Sequence, residues 1–226
     1  MNRLAIFARW PQPGTVKGRL SPSLPPALAC DLYRAMLRDA LATASAVTGS
    51  QHIVFWAGTP VSKAAAELAP GFEARAQRGA DLGEGLASAF GELLPEAGDR
   101  AIVIGADCPD LDASLVRETF AALESHELVL GPASDGGYYL IGLSRRAPDI
   151  FRAIDWGTEN VLEQTLAAAQ RLGLEAALLG GLADLDTPAD LVRLVARRIA
   201  QPRRLASHTD AALIELGFLP PAGRAT

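Results

Sequence analysis

The chain has 226 residues, 49% of them hydrophobic and 21% charged, and a formal net charge of −5, which together suit one large α/β domain with a buried core. The acidic balance argues against a nucleic-acid partner, because no basic face is available to neutralise phosphates. No apolar stretch approaches bilayer-spanning length and the N-terminal one is too short for a signal-peptide core, so the expectation is a soluble, cytoplasmic protein.

Strand and helix patterns alternate along the chain. Residues 4–8 read as a first strand, followed by the turn-rich loop Trp10-Pro-Gln-Pro-Gly14-Thr-Val-Lys17-Gly18-Arg19-Leu20. Pro25 and Pro26 suit a helix start, and Leu28, Leu32, Met36 and Ala40 recur at fourfold spacing in a helix running to about residue 46. Residues 52–56 read as a second strand, 61–68 as a short helix and 72–77 as a weaker third strand. Asp81-Leu-Gly83-Glu84 opens a helix with Leu86, Phe90, Leu93 and Leu94 on one side. A strand at 101–106 precedes a helix at 113–123.

The next two strands, 128–132 and 137–143, are separated only by residues 133–136, too few for a crossover helix. They therefore pair as a hairpin, or lie as neighbours with one strand reversed. A helix from about 159 to 172 and a strand at 175–179 follow. Thr187 as cap, Pro188 at the first position and Asp190 at the third then start a helix that ends near 200. Residues 201–226 carry one more short helix and a proline-containing end, and the arginine pairs 197–198 and 203–204 read as solvated helix ends. The pattern predicts a three-layer α/β/α fold around a mixed, mostly parallel sheet with one antiparallel strand. One domain spans 1–200, with 201–226 as its helical extension.

The stretch Ile102-Val-Ile-Gly105-Ala-Asp107-Cys-Pro-Asp110 is the most informative, an apolar β-branched run that stops just before two carboxylates. Ligands of open α/β sheets bind beyond the carboxyl ends of the strands, and hard cations such as Mg²⁺ take carboxylate and phosphate oxygens. Asp107 is the candidate metal ligand, whereas Asp110 or Asp112 also suits a cap for the following helix. Asp184 and Asp186 lie two apart in an extended segment and so point the same way. Asp186 is the second candidate ligand, opposite Asp107, and capping is the alternative use of both acids.

Gly14 and Gly18 allow close backbone approach while Lys17 and Arg19 supply cations, so the first loop reads as a phosphate cradle or as a plain surface turn. It lacks both the Walker ending and the dinucleotide fingerprint. Ser134-Asp135-Gly136-Gly137-Tyr138-Tyr139 is an ordinary tight turn, or a place where an acceptor approaches with Asp135 orienting it or acting as general base. Tyr138 and Tyr139 alternate, which sends one to the core and the other to the crevice. Trp156 reads as a loop anchor, with a stacking platform as the alternative. Cys30 and Cys108 are too few for a disulfide framework or structural zinc, and Cys108 reads as a packed small residue, with a reactive thiol as the alternative. His52, His126 and His208 have no ligand spacing.

Taken in order, Phe7-Ala-Arg-Trp-Pro-Gln-Pro-Gly-Thr-Val-Lys17-Gly-Arg19-Leu, Gln77-Arg-Gly-Ala-Asp81-Leu-Gly83-Glu84, Gly105-Ala-Asp107-Cys-Pro-Asp110-Leu, Gly131-Pro-Ala-Ser-Asp135-Gly-Gly-Tyr-Tyr-Leu-Ile-Gly, Trp156-Gly-Thr and Asp184-Leu-Asp186-Thr-Pro-Ala-Asp190-Leu form a specific set. Over residues 3–195 the chain resembles the bacterial family labelled radical-SAM/selenodomain-associated transferase 1, a glycosyltransferase-like group of the nucleotide-diphospho-sugar transferase superfamily. It is more remotely similar to 2-phospholactate guanylyltransferase and the molybdenum-cofactor guanylyltransferases, whose corresponding loops bind a nucleoside triphosphate. The resemblance implies a GT-A-type fold and a divalent metal, Mg²⁺ or Mn²⁺, held by Asp107 and Asp186. It also implies Lys17 and Arg19 on phosphates, and Asp81 to Glu84 near the nucleotide.

The expected site thus has Asp107, Asp135 and Lys17 as catalytic residues, with Gly14, Lys17, Arg19, Gln77, Asp81 and Gly83 on the nucleotide. Two positions depart from the family's pattern: Gly18 stands where Thr is usual, and Gly85 where Arg is usual, which removes a fixed cationic fork. The expected activity is metal-dependent transfer from a nucleotide-activated donor, a nucleoside-diphosphate sugar, to a small-molecule acceptor. The alternatives are a nucleotidyltransferase that joins a nucleoside triphosphate to a phosphorylated small molecule with release of pyrophosphate, and a non-catalytic nucleotide-binding protein.

Overall fold

The aliphatic and β-branched runs form a seven-stranded sheet in the computed structural model, which describes residues 1–21, 23–58, 68–201 and 207–221. The strands are β1 (Asn2–Arg9), β2 (Ser50–Ala57), β3 (Glu73–Ala76), β4 (Arg100–Gly105), β5 (Leu128–Pro132), β6 (Tyr138–Leu143) and β7 (Ala176–Leu178), in the order β3-β2-β1-β4-β6-β5-β7. β1 pairs in parallel with both β2 and β4, with Ile6 level with Val54 on one side and Ile104 on the other. β6 runs antiparallel to both β4 and β5. The short 133–136 link forces this reversal, and it brings the start of β6 to the edge where β1 and β4 end.

Consecutive residues Leu4, Ala5 and Ile6 are all fully buried, as a strand covered on both faces requires. On one face Leu4, Ile6, Val54, Ile102 and Ile104 pack with α1 (Pro26–Ser45) and α3 (Ala113–Ala122). On the other, Ala5, Ile53, Phe55 and Val103 pack with α2 (Leu82–Leu93), α4 (Val161–Arg171) and the 3₁₀ turn Pro148–Phe151. The fold is therefore the three-layer α/β/α arrangement with a mostly parallel sheet. Among the described residues no helix is long and apolar enough to cross a membrane.

Local chemistry fixes the helix starts. Asp112, not Asp110, caps α3 by accepting from the Ser114 and Leu115 amides. α5 (Pro188–Ala200) begins with a capping box in which Thr187 and Asp190 satisfy each other's backbone amides. The helix expected at 61–68 falls outside the described residues except at its last position. The helix expected at 159–172 spans Val161–Arg171.

Of the arginine pair at 197–198, Arg197 is exposed as a solvated helix end is, whereas Arg198 corrects that expectation. Arg198 is 9% exposed, with Nη1 2.6 Å from Asp110 Oδ1 and Nε 2.9 Å from Asp210 Oδ1. Arg197 reaches the other Asp110 oxygen at 3.0 Å. Carboxylates from two distant segments draw the Arg198 guanidinium inward, which neighbours in sequence do not reveal. Asp210 lies on α6 (Ser207–Glu215), whose first-turn amides at His208 and Thr209 donate to Asp39 on α1. Leu213 of α6 joins Leu32 and Met36 of α1 and Leu191 and Leu194 of α5 in a third apolar cluster. Arg203 and Arg204 lie outside the described residues.

Candidate functional site

Beyond the ends of β1 and β4 the sheet opens into a cavity of about 450 Å³. Its walls include Phe7 and Arg9 of β1, Lys17 of the first loop, Tyr33 of α1, Gln77 after β3, and Asp107. An adjoining cavity of about 230 Å³ shares Gly105, Asp107 and Asp186 with it and is also lined by Asp135, Asp184 and Trp156.

Lys17 joins the two segments that carry the acids. Its Nζ lies 2.6 Å from Asp107 Oδ1 and 2.8 Å from Asp186 Oδ1, and its side chain is only 3% exposed. The backbone there is left-handed, at φ 53°, a conformation uncommon for a residue with a Cβ. Burial alone would lower the ammonium pKa, but the two carboxylates outweigh it and raise the value above the ordinary range. Asp107 Oδ1 is buried and has no aligned hydrogen-bond donor, so the lysine holds it by charge. Arg19 is exposed and approaches the other Asp186 oxygen at 3.5 Å.

Backbone pairing fixes the positions of these acids. The Leu185 amide donates to the Asp107 carbonyl at 2.8 Å, and the Ser134 amide to the Leu182 carbonyl at 3.0 Å. The Ser134 hydroxyl reaches Asp184 Oδ1 at 3.1 Å. Asp184 is held protonated to higher pH than usual by burial and by the charge of Asp135. Asp135 itself accepts from the Gly137 amide in a tight turn. Gly136 in that turn sits at φ +90°, and a Cβ on it would lie 2.2 Å from the Glu159 carbonyl oxygen, so the motif requires glycine there.

The acids suit a hard divalent cation. Two carboxylates from separate segments converge on one buried positive charge, and one of the oxygens has no other partner. Among the described residues no group of three or more His, Cys, Asp or Glu is placed to hold a metal. A metal here would complete its shell with substrate and water oxygens.

The remaining expected residues divide. Gln77 lines the larger cavity and donates to the Phe55 and Ala8 carbonyls at 2.9 and 3.3 Å, tying β2 to β1. Gly14 turns the first loop at φ +83°. Asp81 caps α2 through the Glu84 amide and lines a separate cavity with Trp156 and Arg152. Gly83 is buried under Trp156, where a Cβ would come within 2.4 Å of the indole nitrogen. Its small size thus serves helix-to-loop packing. Asp184 and Asp186 both line the smaller cavity, where Ser134 engages the first and Lys17 the second.

The two tyrosines alternate between the layers, and both line the larger cavity, so the crevice is not reserved for one of them. Tyr139 donates to the Gly180 carbonyl in one layer, and Tyr138 packs edge-on against Trp156 in the other. Cys108 is packed, with its thiol pushed up to about 12 by burial. Tyr33 was not singled out in the sequence. It holds the end of β1 by accepting from the Arg9 amide at 2.9 Å, and helical spacing from Cys30 and Leu37 was the available signal. Gly18 and Gly85 both have room for a side chain, the nearest atoms to a Cβ on Gly85 being 3.7 Å away.

A model of the family described as "Uncharacterized protein conserved in bacteria (DUF2064)" matches residues 39–158. No curated protein matches the chain. Among solved structures, a protein from Desulfovibrio desulfuricans G20, provisionally named a nucleotide-diphospho-sugar transferase, is 32% identical. The match covers 96% of this chain and 95% of that one, with a TM-score of 0.86. CMP:2-keto-3-deoxy-manno-octonic acid synthetase complexed with CTP is 14% identical over 89% of this chain and 99% of that one, at a TM-score of 0.55. The manganese complex of Rv0371c from Mycobacterium tuberculosis H37Rv is 18% identical over 85% and 96%, at 0.52. These last two share the fold. The family model matches more than half of the chain, and the chain belongs to the DUF2064 family.

Proposed function

We propose that the protein is a cytoplasmic, metal-dependent transferase that takes a nucleoside-diphosphate sugar as donor and a small molecule as acceptor. The carrying observation is the convergence of Lys17, Asp107 and Asp186 at the carboxyl edge of β1 and β4, beside a cavity of about 450 Å³. The name of the 32% identical Desulfovibrio protein supports this reading, as do the CTP and manganese complexes of proteins sharing the fold. The motif set of the radical-SAM/selenodomain-associated transferase 1 family is the narrower affiliation we propose.

Asp107 and Asp186 would hold Mg²⁺ or Mn²⁺, which supplies charge neutralisation for the departing diphosphate. Lys17 and Arg19 stand ready to add positive charge on the same phosphates as that charge develops. Gln77 keeps the ends of β1 and β2 together along the wall of the donor cavity. Asp135 faces the smaller cavity, where it orients the acceptor hydroxyl or takes its proton.

The smaller cavity also favours glycosyl over nucleotidyl transfer. It is lined by Asp107, Asp135, Asp184 and Asp186 and, among the described residues, by no lysine or arginine. With Asp107 and Asp186 engaged by Lys17 and the metal, a phosphorylated acceptor would still meet the charge of Asp135 there, whereas a neutral polyol would find hydrogen-bond acceptors.

The test is incubation with Mn²⁺ or Mg²⁺ and panels of sugar nucleotides and nucleoside triphosphates, with neutral and phosphorylated acceptors. The expected result is release of nucleoside diphosphate from a sugar nucleotide with a neutral acceptor. Pyrophosphate release with a phosphorylated acceptor would establish nucleotidyl transfer instead. Binding without turnover across both panels would establish a non-catalytic nucleotide-binding protein.

A further inference from the structure

We infer that Lys17 is a placeholder cation that sets the order of binding: its ammonium keeps the Asp107–Asp186 pair from taking up a free divalent cation until a phosphorylated ligand draws the ammonium away. The inference rests on the nucleotide reading above and extends it to what the site does before substrate arrives.

Position is the first support. The Lys17 ammonium lies 2.6 and 2.8 Å from one oxygen of each acid, so it occupies the point where those oxygens converge. A metal shared by the same two oxygens would need that space. With the side chain 3% exposed, the ammonium is enclosed by the protein, unlike that of a surface lysine sampling many partners.

Backbone conformation is the second. The residue at the left-handed position is Lys17, at φ 53°, although a glycine follows it immediately. Left-handed backbone at a residue with a Cβ costs energy and persists only where the surrounding structure holds it. Here it turns the side chain inward onto the acids.

Charge is the third. One ammonium between two carboxylates leaves a single negative charge, which Arg19, solvent-exposed and 3.5 Å from the other Asp186 oxygen, offsets in part and so adds to the repulsion of a dication. A dication entering beside it would meet like charge at short range, and a dication replacing it must first displace a tethered competitor. Triphosphate or diphosphate oxygens change both terms. They give the ammonium another acceptor, and they complete the oxygen shell that two aspartates leave unfilled. Metal and phosphorylated ligand then favour each other's binding, and by linkage the coupling is mutual.

The experiment measures Mn²⁺ binding to the full chain, with no nucleotide, by electron paramagnetic resonance of the free ion. Lys17→Met should bind Mn²⁺ about tenfold or more tightly than the wild type, a coupling of ordinary size. Lys17→Arg, which keeps the charge, should stay near the wild type. Adding Asp186→Asn to Lys17→Met should remove the gain. Circular dichroism checks that each variant is folded, and Lys17→Gln carries the comparison if Lys17→Met does not fold. Unchanged or weaker Mn²⁺ binding by the folded uncharged variant overturns the inference. A second arm adds a panel of nucleoside di- and triphosphates to the wild type. A gain in Lys17→Met together with no response of the wild type to any nucleotide supports the placeholder role and overturns the nucleotide reading.

Discussion

The backbone amide of Leu185 donates to the carbonyl of Asp107 at 2.8 Å. This one bond fastens the residue between Asp184 and Asp186 to the end of β4, so both candidate metal ligands sit on backbone that the sheet edge holds in register. The Lys17 ion pairs then act on acids already brought together by the main chain. Positioning of this kind, by loop backbone tied to the sheet edge, is what a site acting on phosphates requires.

The same loop is held at its far end by Asp110, which meets Arg198, itself paired with Asp210. Arg198→Ala strips the largely buried Asp210 of its guanidinium and leaves the nearby Asp110 with only the more exposed Arg197. The expected loss is about 3 kcal/mol or more in unfolding free energy, read by urea denaturation. A loss below about 1 kcal/mol would show that the triad is solvated in solution, as a surface pair is.

Gly136→Ala places a methyl group 2.2 Å from the Glu159 carbonyl oxygen, on backbone at φ +90°. Either the Asp135 turn or the start of α4 must move. Thermal unfolding should show a loss of about 2 kcal/mol or more. Because Asp135 is displaced with the turn, turnover should fall further than stability accounts for at assay temperature.

Gly85→Ala should act in the opposite direction. Gly85 lies inside α2, and a Cβ there makes only ordinary contacts, at 3.7 Å to the Arg78 carbonyl and the Phe7 ring. Replacing a helical glycine whose site admits a methyl group stabilises by about 0.5–1 kcal/mol. Urea denaturation checks the sign.

Acid should weaken the fold partly through Asp99. The Met1 ammonium and the Arg3 guanidinium, each at 2.7 Å, hold its carboxyl well below the usual carboxylate range. A depressed folded value stabilises above the unfolded pKa of about 3.9 and loses that contribution as pH falls through the folded value. The urea midpoint should therefore decline below about pH 4, and Asp99→Asn should flatten part of that decline. An identical slope in the variant would assign the acid sensitivity to other groups.

Much of the fold was legible because its causes are local. Fully apolar runs such as 102–104 marked strands buried on both faces, and the short 133–136 link required the reversed strand β6. Thr187, Pro188 and Asp190 specified a helix start that has the capping box their chemistry requires. Long-range charge was not legible. Nothing in the spacing of Lys17, Asp107 and Asp186 indicates that one ammonium bridges two acids, and Arg198 looked like any basic residue at a helix end. Motif position also could not separate ligand from scaffold at Asp81 and Gly83, since an acid before a helix serves a cap as readily as a substrate. The structure adds a scaffold use for each, through the packing of Trp156 over Gly83 and the Glu84 amide on Asp81.

Calorimetric titration of nucleoside diphosphates and triphosphates, with and without Mn²⁺, on the wild type and on Asp107→Asn tests the central claim most directly. The account predicts that the wild type binds at least one of them with metal-dependent affinity, and that Asp107→Asn stays folded while losing the metal dependence. Metal-dependent affinity that is the same in both proteins would contradict it.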